Sequence, residues 1–296
     1  MTRHWKGIQA WAMATLLLAA CTQDEPTGQG NTLPYGEYPL QIASVTMAVE
    51  STTEPWSTKA PQTRVSEDNT DGMSSVWKGN ERIGVQIGRG QPGIYTVQAD
   101  GSVESSNPVY WTSTATTYVN AWYPMEETVN LQDQSDRLVY VLNAIQDYVT
   151  YDQPVTLSFT HQLAKVRVVL SGTQASQVNS VEVYGITACN HLRGTSVSFD
   201  ASNTGWIKMK QQTYADGTEC WEANVVPGEV ISRVKVNGIE ATLTTSLTPV
   251  VAAVNTIDLT VGSLVPDAAK AIDLTGGKTY AYRMQDNADE FRMEVR

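Results

Sequence analysis

Val155-Thr156-Leu157-Ser158-Phe159-Thr160-His161-Gln162-Leu163-Ala164-Lys165-Val166-Arg167-Val168-Val169-Leu170 is the segment that reveals the architecture first. Val155, Leu157, Phe159 and Leu163 alternate with other residues at the two-residue period of a half-buried strand, and His161 shares their parity. A histidine in such company predicts a hydrogen-bonded core residue rather than a ligand. Beyond it Val166, Val168 and Leu170 take the opposite parity, which predicts a bulge near Ala164-Lys165.

The same alternation recurs along the chain. Val181-Glu182-Val183-Tyr184, Val197-Ser198-Phe199, Trp206-Ile207-Lys208-Met209 and Val234-Lys235-Val236 each place alternate side chains on one face. Asp100-Gly101, Asp216-Gly217, Asn237-Gly238 and Gly276-Gly277 supply turns between them. Short strands between frequent turns predict an all-β chain built of β-sandwiches, not βαβ units. No segment reads as a helix, and Val139-Tyr140-Val141 favours a strand.

The N-terminus carries a different signal. Arg3, His4 and Lys6 precede an apolar run from Ile8 to Ala20 that ends in Leu18-Ala19-Ala20-Cys21. That run is too short to cross a hydrocarbon core of about 30 Å as a helix. It has the form of a bacterial lipoprotein signal, with Cys21 lipidated and left as the first mature residue. Two or three acyl chains anchor stably where a single one does not. The acidic start Thr22-Gln23-Asp24-Glu25 resembles the export signal of surface lipoproteins in some Gram-negative anaerobes.

Charge excludes some partners. Loss of the first 20 residues removes Arg3 and Lys6, leaving 18 basic against 31 acidic side chains, a net charge of −13. Such a surface repels phosphate backbones, so no nucleic-acid partner is expected. Three cysteines, at 21, 189 and 220, are too few for a disulfide framework, although Cys189 and Cys220 could form one bridge in an oxidising compartment.

Catalytic patterns are poor. Gly88-Arg89-Gly90-Gln91-Pro92-Gly93 has dinucleotide-binding spacing, but a strand, Ile94-Tyr95-Thr96-Val97, follows where a helix is needed. It reads as a hairpin loop. Cys189-Asn190-His191 with Cys220 and His161 makes a poor zinc site. No enzyme, metal or cofactor is expected.

The chain divides into a signal (1–20), a linker and first strand (21–64), a first sandwich (65–170) and a second (171–296). The second ends in a strand-like tail, 263–296, in which Tyr280, Tyr282 and Met284 share one face, as do Phe291, Met293 and Val295.

Three phrases carry a family resemblance. Trp77-Lys78-Gly79-Asn80-Glu81-Arg82-Ile83-Gly84-Val85 is similar to a Trp-x-x-Gly-Asp-x-Ile-Gly-Val strand of the fimbrillins, subunits of type V pili in Gram-negative anaerobes, with Asn80 in the Asp position. Tyr110-Trp111 followed by Asn120-Ala121-Trp122-Tyr123-Pro124 resembles the paired strand that ends in Ala-Tyr-Tyr-Pro. Leu157 to Val168 resembles the Phe-x-His-x-x-Ala-Lys-Val segment. The likeness runs from about residue 38 to about 260; the tail lacks the closing Trp of many relatives.

The resemblance implies two transthyretin-like sandwiches and a way of assembling. A lipoprotein precursor in the outer membrane would be cut by an Arg-specific protease after Arg64, before Val65. The strand carrying Leu40, Ile42, Val45, Met47 and Val49 would be lost, and a strand of another copy or a related subunit would fill the groove in a fimbria at the cell surface. Between Ile42 and Val45 the facing parity shifts, which predicts a bulge or strand switch. The tail residues Tyr280, Tyr282, Met284, Phe291, Met293 and Val295 could supply the donor strand or could simply close the second sandwich. A different class of function is a glycan-binding surface lipoprotein that displays aromatics among Trp56, Trp77, Trp111, Trp122, Trp206 and Trp221. The residues identify no adhesion ligand.

Overall fold

The computed structural model describes residues 30–47, 66–67, 70, 72, 75–98, 100–191, 193, 197–251, 253–263, 279–281 and 291–295. Cys21, Val49, Trp56, Arg64, Val65, Tyr282 and Met284 lie outside the described residues.

The described strands begin with β1 (Ile42–Met47), β2 (Ser66–Glu67), β3 (Ser75–Val76), β4 (Glu81–Ile87), β5 (Gly93–Val97) and β6 (Val103–Glu104). Next come β7 (Thr117–Tyr123), β8 (Thr128–Asn130), β9 (Leu142–Val149), β10 (Val155–His161) and β11 (Ala164–Ser171). β12 (Val181–Ile186), β13 (Ala188–His191), β14 (Val197–Ser198), β15 (Thr204–Lys208), β16 (Lys210–Thr213) and β17 (Glu219–Val225) follow. The series ends with β18 (Ile231–Val236), β19 (Ile239–Leu247), β20 (Val254–Ser263), β21 (Thr279–Ala281) and β22 (Phe291–Val295). The single helical turn among the described residues is a 3₁₀ turn, Ala175–Gln177, just after Ser171-Gly172-Thr173.

Seven strands form the first sheet in the order β1-β10-β9-β7-β4-β5-β6. The sheet curls until its two ends approach, and Val45 N–H of β1 donates to the Gly101 carbonyl ahead of β6 at 3.2 Å. Side chains from most of its strands, among them Ile83, Val97, Val119, Ala144, Leu157 and Phe159, fill the enclosed core. Burial along β10 alternates strictly from Val155 to His161, as its sequence predicts.

The second unit is a sandwich of two sheets, β16-β17-β11-β20-β22-β21 and β15-β12-β18-β19. Val166, Ala223 and Leu259 from the first of these meet Val183, Ile207 and Val234 from the second in one core. The Asn237-Gly238 turn between β18 and β19 has φ values of +47° and +83°, the left-handed pair that a tight hairpin needs.

Three expectations are corrected here. The parity change near Ala164-Lys165 is no bulge: the chain leaves the first sheet at His161 and enters the second unit at Ala164 as a central strand between β17 and β20. Residues 164–171 therefore pack in the second unit, not in a first sandwich reaching residue 170. Val139-Tyr140-Val141 stays outside the ladder and spends its backbone groups elsewhere, Val139 N–H on the Gln134 side chain and Val141 C=O on Gln162 N–H.

Small elements lock the two units together. β8 of the first half pairs with β13 of the second, and β14 extends that sheet. Gln134 is fully buried; its amide donates to the carbonyls of Leu131 and Asn224 at 3.2 and 2.8 Å. Its Oε1 accepts from the N–H groups of Val139 and Asn224, both at 3.0 Å. Asp133 pairs with Lys208 at 3.0 Å, and hydrogen bonds led by Ser135 hold its carboxyl down to about 2.

Candidate functional site

The N-terminal segment 31–47 is held along both flanks. On one side it runs antiparallel to residues 109–114. Thr114 N–H donates to Asn31 C=O at 2.7 Å and Leu33 N–H to Thr112 C=O at 2.9 Å. Trp111 N–H reaches Tyr38 C=O and Leu40 N–H reaches Val109 C=O, both at 2.8 Å. On the other side β1 lies parallel to β10, pairing Ile42 with Val155 through to Met47 with Phe159. The register slips between Ile42 and Ser44, where the parity of the sequence changes.

Its side chains complete the core of the first unit. Leu33, Leu40 and Val45 are buried; Tyr38, Ile42 and Met47 are partly buried against the same cluster. Full burial of an aliphatic side chain stabilises by roughly 2 kcal/mol, so the three alone contribute about 6 kcal/mol, comparable to the 5–15 kcal/mol stability of a whole domain. Removing the segment would also strip backbone partners from 109–112 and from β10. Leu33 falls in a stretch whose composition predicts a linker; one apolar residue among polar ones gives no periodicity to detect.

The wall of this groove is built from the family phrases. Trp77 is buried with its ring edge-on to Tyr123 at 5.9 Å and to Phe159 at 5.2 Å between centroids. Trp111 is buried in the same core. His161 is buried beside the Tyr140 ring, as the alternation predicts.

The chain just beyond residue 65 is fixed to the other unit. Lys165, buried on β11, donates from Nζ to Gly72 C=O at 2.7 Å, and Asp216 N–H donates to Thr70 C=O at 3.2 Å. Tyr214 closes over Gly72, where a Cβ would meet its ring at 2.2 Å. Tyr214 Oη also donates to Glu222 at 2.5 Å, and Glu222 is paired with Arg167 at 2.7 Å. Residues 31–47 are thus bonded to the first unit and residues 70–72 to the second, on opposite sides of position 64.

Among the tail residues, β22 pairs antiparallel with β20, Phe291 opposite Ser263 and Val295 opposite Leu259. β21 adds outside it, with Tyr280 opposite Met293. Cys189 and Cys220 do not form the bridge that the sequence allows: they are free thiols in different sheets. Burial pushes their thiols up to about 11 and about 12. The Gly88–Gly93 loop joins β4 to β5 as a hairpin. Of the tryptophans proposed as sugar platforms, Trp77, Trp111, Trp122 and Trp221 are buried. Trp206 is covered by Lys235 Nζ at 4.0 Å and by Arg233 at 5.5 Å from the ring centre.

Comparison with known proteins gives this architecture a family. The sequence profile of the fimbrillin-like family matches residues 63–292. The chain belongs to that family, a family of fimbrial subunits. Among solved structures it is similar to a candidate cell adhesion protein of Bacteroides uniformis, at 18% identity over 69% of this chain and 91% of that one, with a TM-score of 0.47. A candidate cell adhesion protein of Bacteroides ovatus shares 14% identity over 76% and 91%, with a TM-score of 0.48. The fimbrial anchor protein Mfa2 of Porphyromonas gingivalis shares 10% over 76% and 91%, with a TM-score of 0.37. No curated protein matches the chain.

Proposed function

We propose that this chain is the precursor of a fimbrial subunit, lipidated at Cys21 in the outer membrane, cut after Arg64, and assembled into a surface fimbria by donor-strand exchange. The observation that carries the reading is segment 31–47, bonded on both flanks and filling the first core while lying entirely ahead of Arg64. The cut would leave this segment attached only by noncovalent contacts. Its departure would open two backbone edges and an apolar groove, which a strand from another copy or a related subunit would fill. The partners of the chain are then other subunits and an Arg-specific protease, and the mature fimbria serves adhesion.

A donor role for the tail would require β21 and β22 to leave β20, so the cis pairing favours a tail that closes its own sheet until a neighbour competes for it. The glycan-platform reading loses ground to the burial of four tryptophans.

Limited digestion of the precursor with trypsin or an Arg-specific protease, followed by N-terminal sequencing and native gels, tests the proposal. A new N-terminus at Val65 with SDS-resistant multimers is expected, and Arg64→Ala should abolish both. Cleavage at Arg64 that leaves only monomer would contradict assembly by this route.

A further inference from the structure

Arg193 offers an Arg-specific protease its side chain but not its backbone. That side chain is 61% exposed, and Glu127, 4.0 Å away, is itself exposed. The residue lies between β13 and β14, outside the strands, in the kind of connection where proteases nick folded chains. Its main chain is nevertheless held. Its φ is +44°, a left-handed value uncommon for a residue other than glycine. Its carbonyl accepts from Asn120 Nδ2 at 2.7 Å. Two residues earlier, His191 N–H donates to Glu127 C=O at 2.7 Å.

Asn120 is placed for that bond. It is 1% exposed on β7, between Gln86 of β4 and Ile145 of β9. Its Oδ1 is buried with no donor, so the bond to Arg193, 73 residues away in sequence, is the one its side chain makes among the described residues. A buried amide with half its capacity unused is costly, and what it secures here is the carbonyl of an arginine. Hydrolysis after an arginine requires that carbonyl oxygen to enter an oxyanion hole while the flanking chain lies extended in the protease cleft. At Arg193 the oxygen is already engaged and the backbone is turned the wrong way. Arg82 and Arg233 need no such device, because β4 and β18 are paired on both sides.

We infer that Asn120 is a specificity-determining residue for processing: it withholds the Arg193–Gly194 bond, so that the cut falls at Arg64. The inference rests on the processing reading above. A cut after Arg193 would part β13 from β14 in the small sheet that fastens the two units, so sparing this bond keeps the subunit whole.

Timed digestion of the full chain with an Arg-specific protease, well below each variant's melting temperature and followed by N-terminal sequencing, tests the assignment. In the wild type, cleavage after Arg193 should be at least tenfold slower than after Arg64. Asn120→Ala and Asn120→Thr, both too short to reach the carbonyl, should each accelerate cleavage after Arg193 at least tenfold and give a new N-terminus at Gly194. Threonine keeps a strand former in β7 in case the alanine variant does not fold. Arg82 and Arg233 report global unfolding and should stay uncut. Wild-type cleavage at Arg193 as fast as at Arg64, an unchanged rate there in the folded variants, or equal acceleration at Arg82 and Arg233 in both variants would overturn this inference alone. Resistance at Arg64 would overturn the processing reading and this inference with it.

Discussion

Gly84 has the indole of Trp122 lying across it: a Cβ there would sit 2.3 Å from the ring. The two residues are paired across β4 and β7, which explains why a glycine stands between Ile83 and Val85 in an otherwise β-favouring phrase. Gly84→Ala should cost about 2 kcal/mol by overpacking, read as a lower urea midpoint with an unchanged slope. Asn80, with φ at +68°, occupies a left-handed position that Asn and Asp tolerate, so its departure from the family's Asp is a small one. His191 makes a second residue-scale case. It is 2% exposed between Asn143 and Pro124 C=O, and burial lowers its pKa, with the Pro124 contact opposing. A depressed histidine contributes its stability above the unfolded value of about 6.5 and loses it as pH falls toward the folded pKa. The melting temperature should therefore decline from pH 7 to pH 5, and His191→Gln should flatten that decline. Strand alternation made His161 legible as core, while Leu33 and Gln134 were not, because their partners are distant in sequence and no local period marks them.

Strand existence follows from two-residue alternation, but strand partnership does not, because the same pattern fits any sheet with an apolar face. The 155–170 stretch illustrates this. Its two runs of opposite parity fit one bulged strand or two strands in different units, and the chain adopts the second. Lys165 and Arg167 occupy the odd positions of β11 because that face is closed by Gly72, Tyr214 and Glu222 rather than by solvent. The tail poses the same ambiguity, and its β22 lies against β20 of its own chain. Gln134 ties the units together, since from a buried position it satisfies four backbone groups, two of them on Asn224 of the second unit. Gln134→Leu should cost about 3 kcal/mol through orphaned buried groups. Differential scanning calorimetry should then split one transition into two as the units uncouple.

At the scale of the whole molecule, the curled first sheet is closed by a segment that enters the chain before the point of expected cleavage, while the second sandwich closes with its own tail. This asymmetry is what an assembly by strand replacement needs: one unit that can be opened and one that stays shut. The family resemblance made β1 legible as a strand ahead of Arg64, and the bulge at Ile42 was visible as a parity change, but the second flank along 109–114 was not, since that stretch lacks a continuous alternating run. Amide hydrogen exchange at residues 109–112 and 155–159 follows the central claim through its stages. The account predicts protection in the precursor, rapid exchange once the segment ending at Arg64 is cut and released, and renewed protection in multimers. Equal protection in the precursor and in the cleaved, released monomer would contradict it.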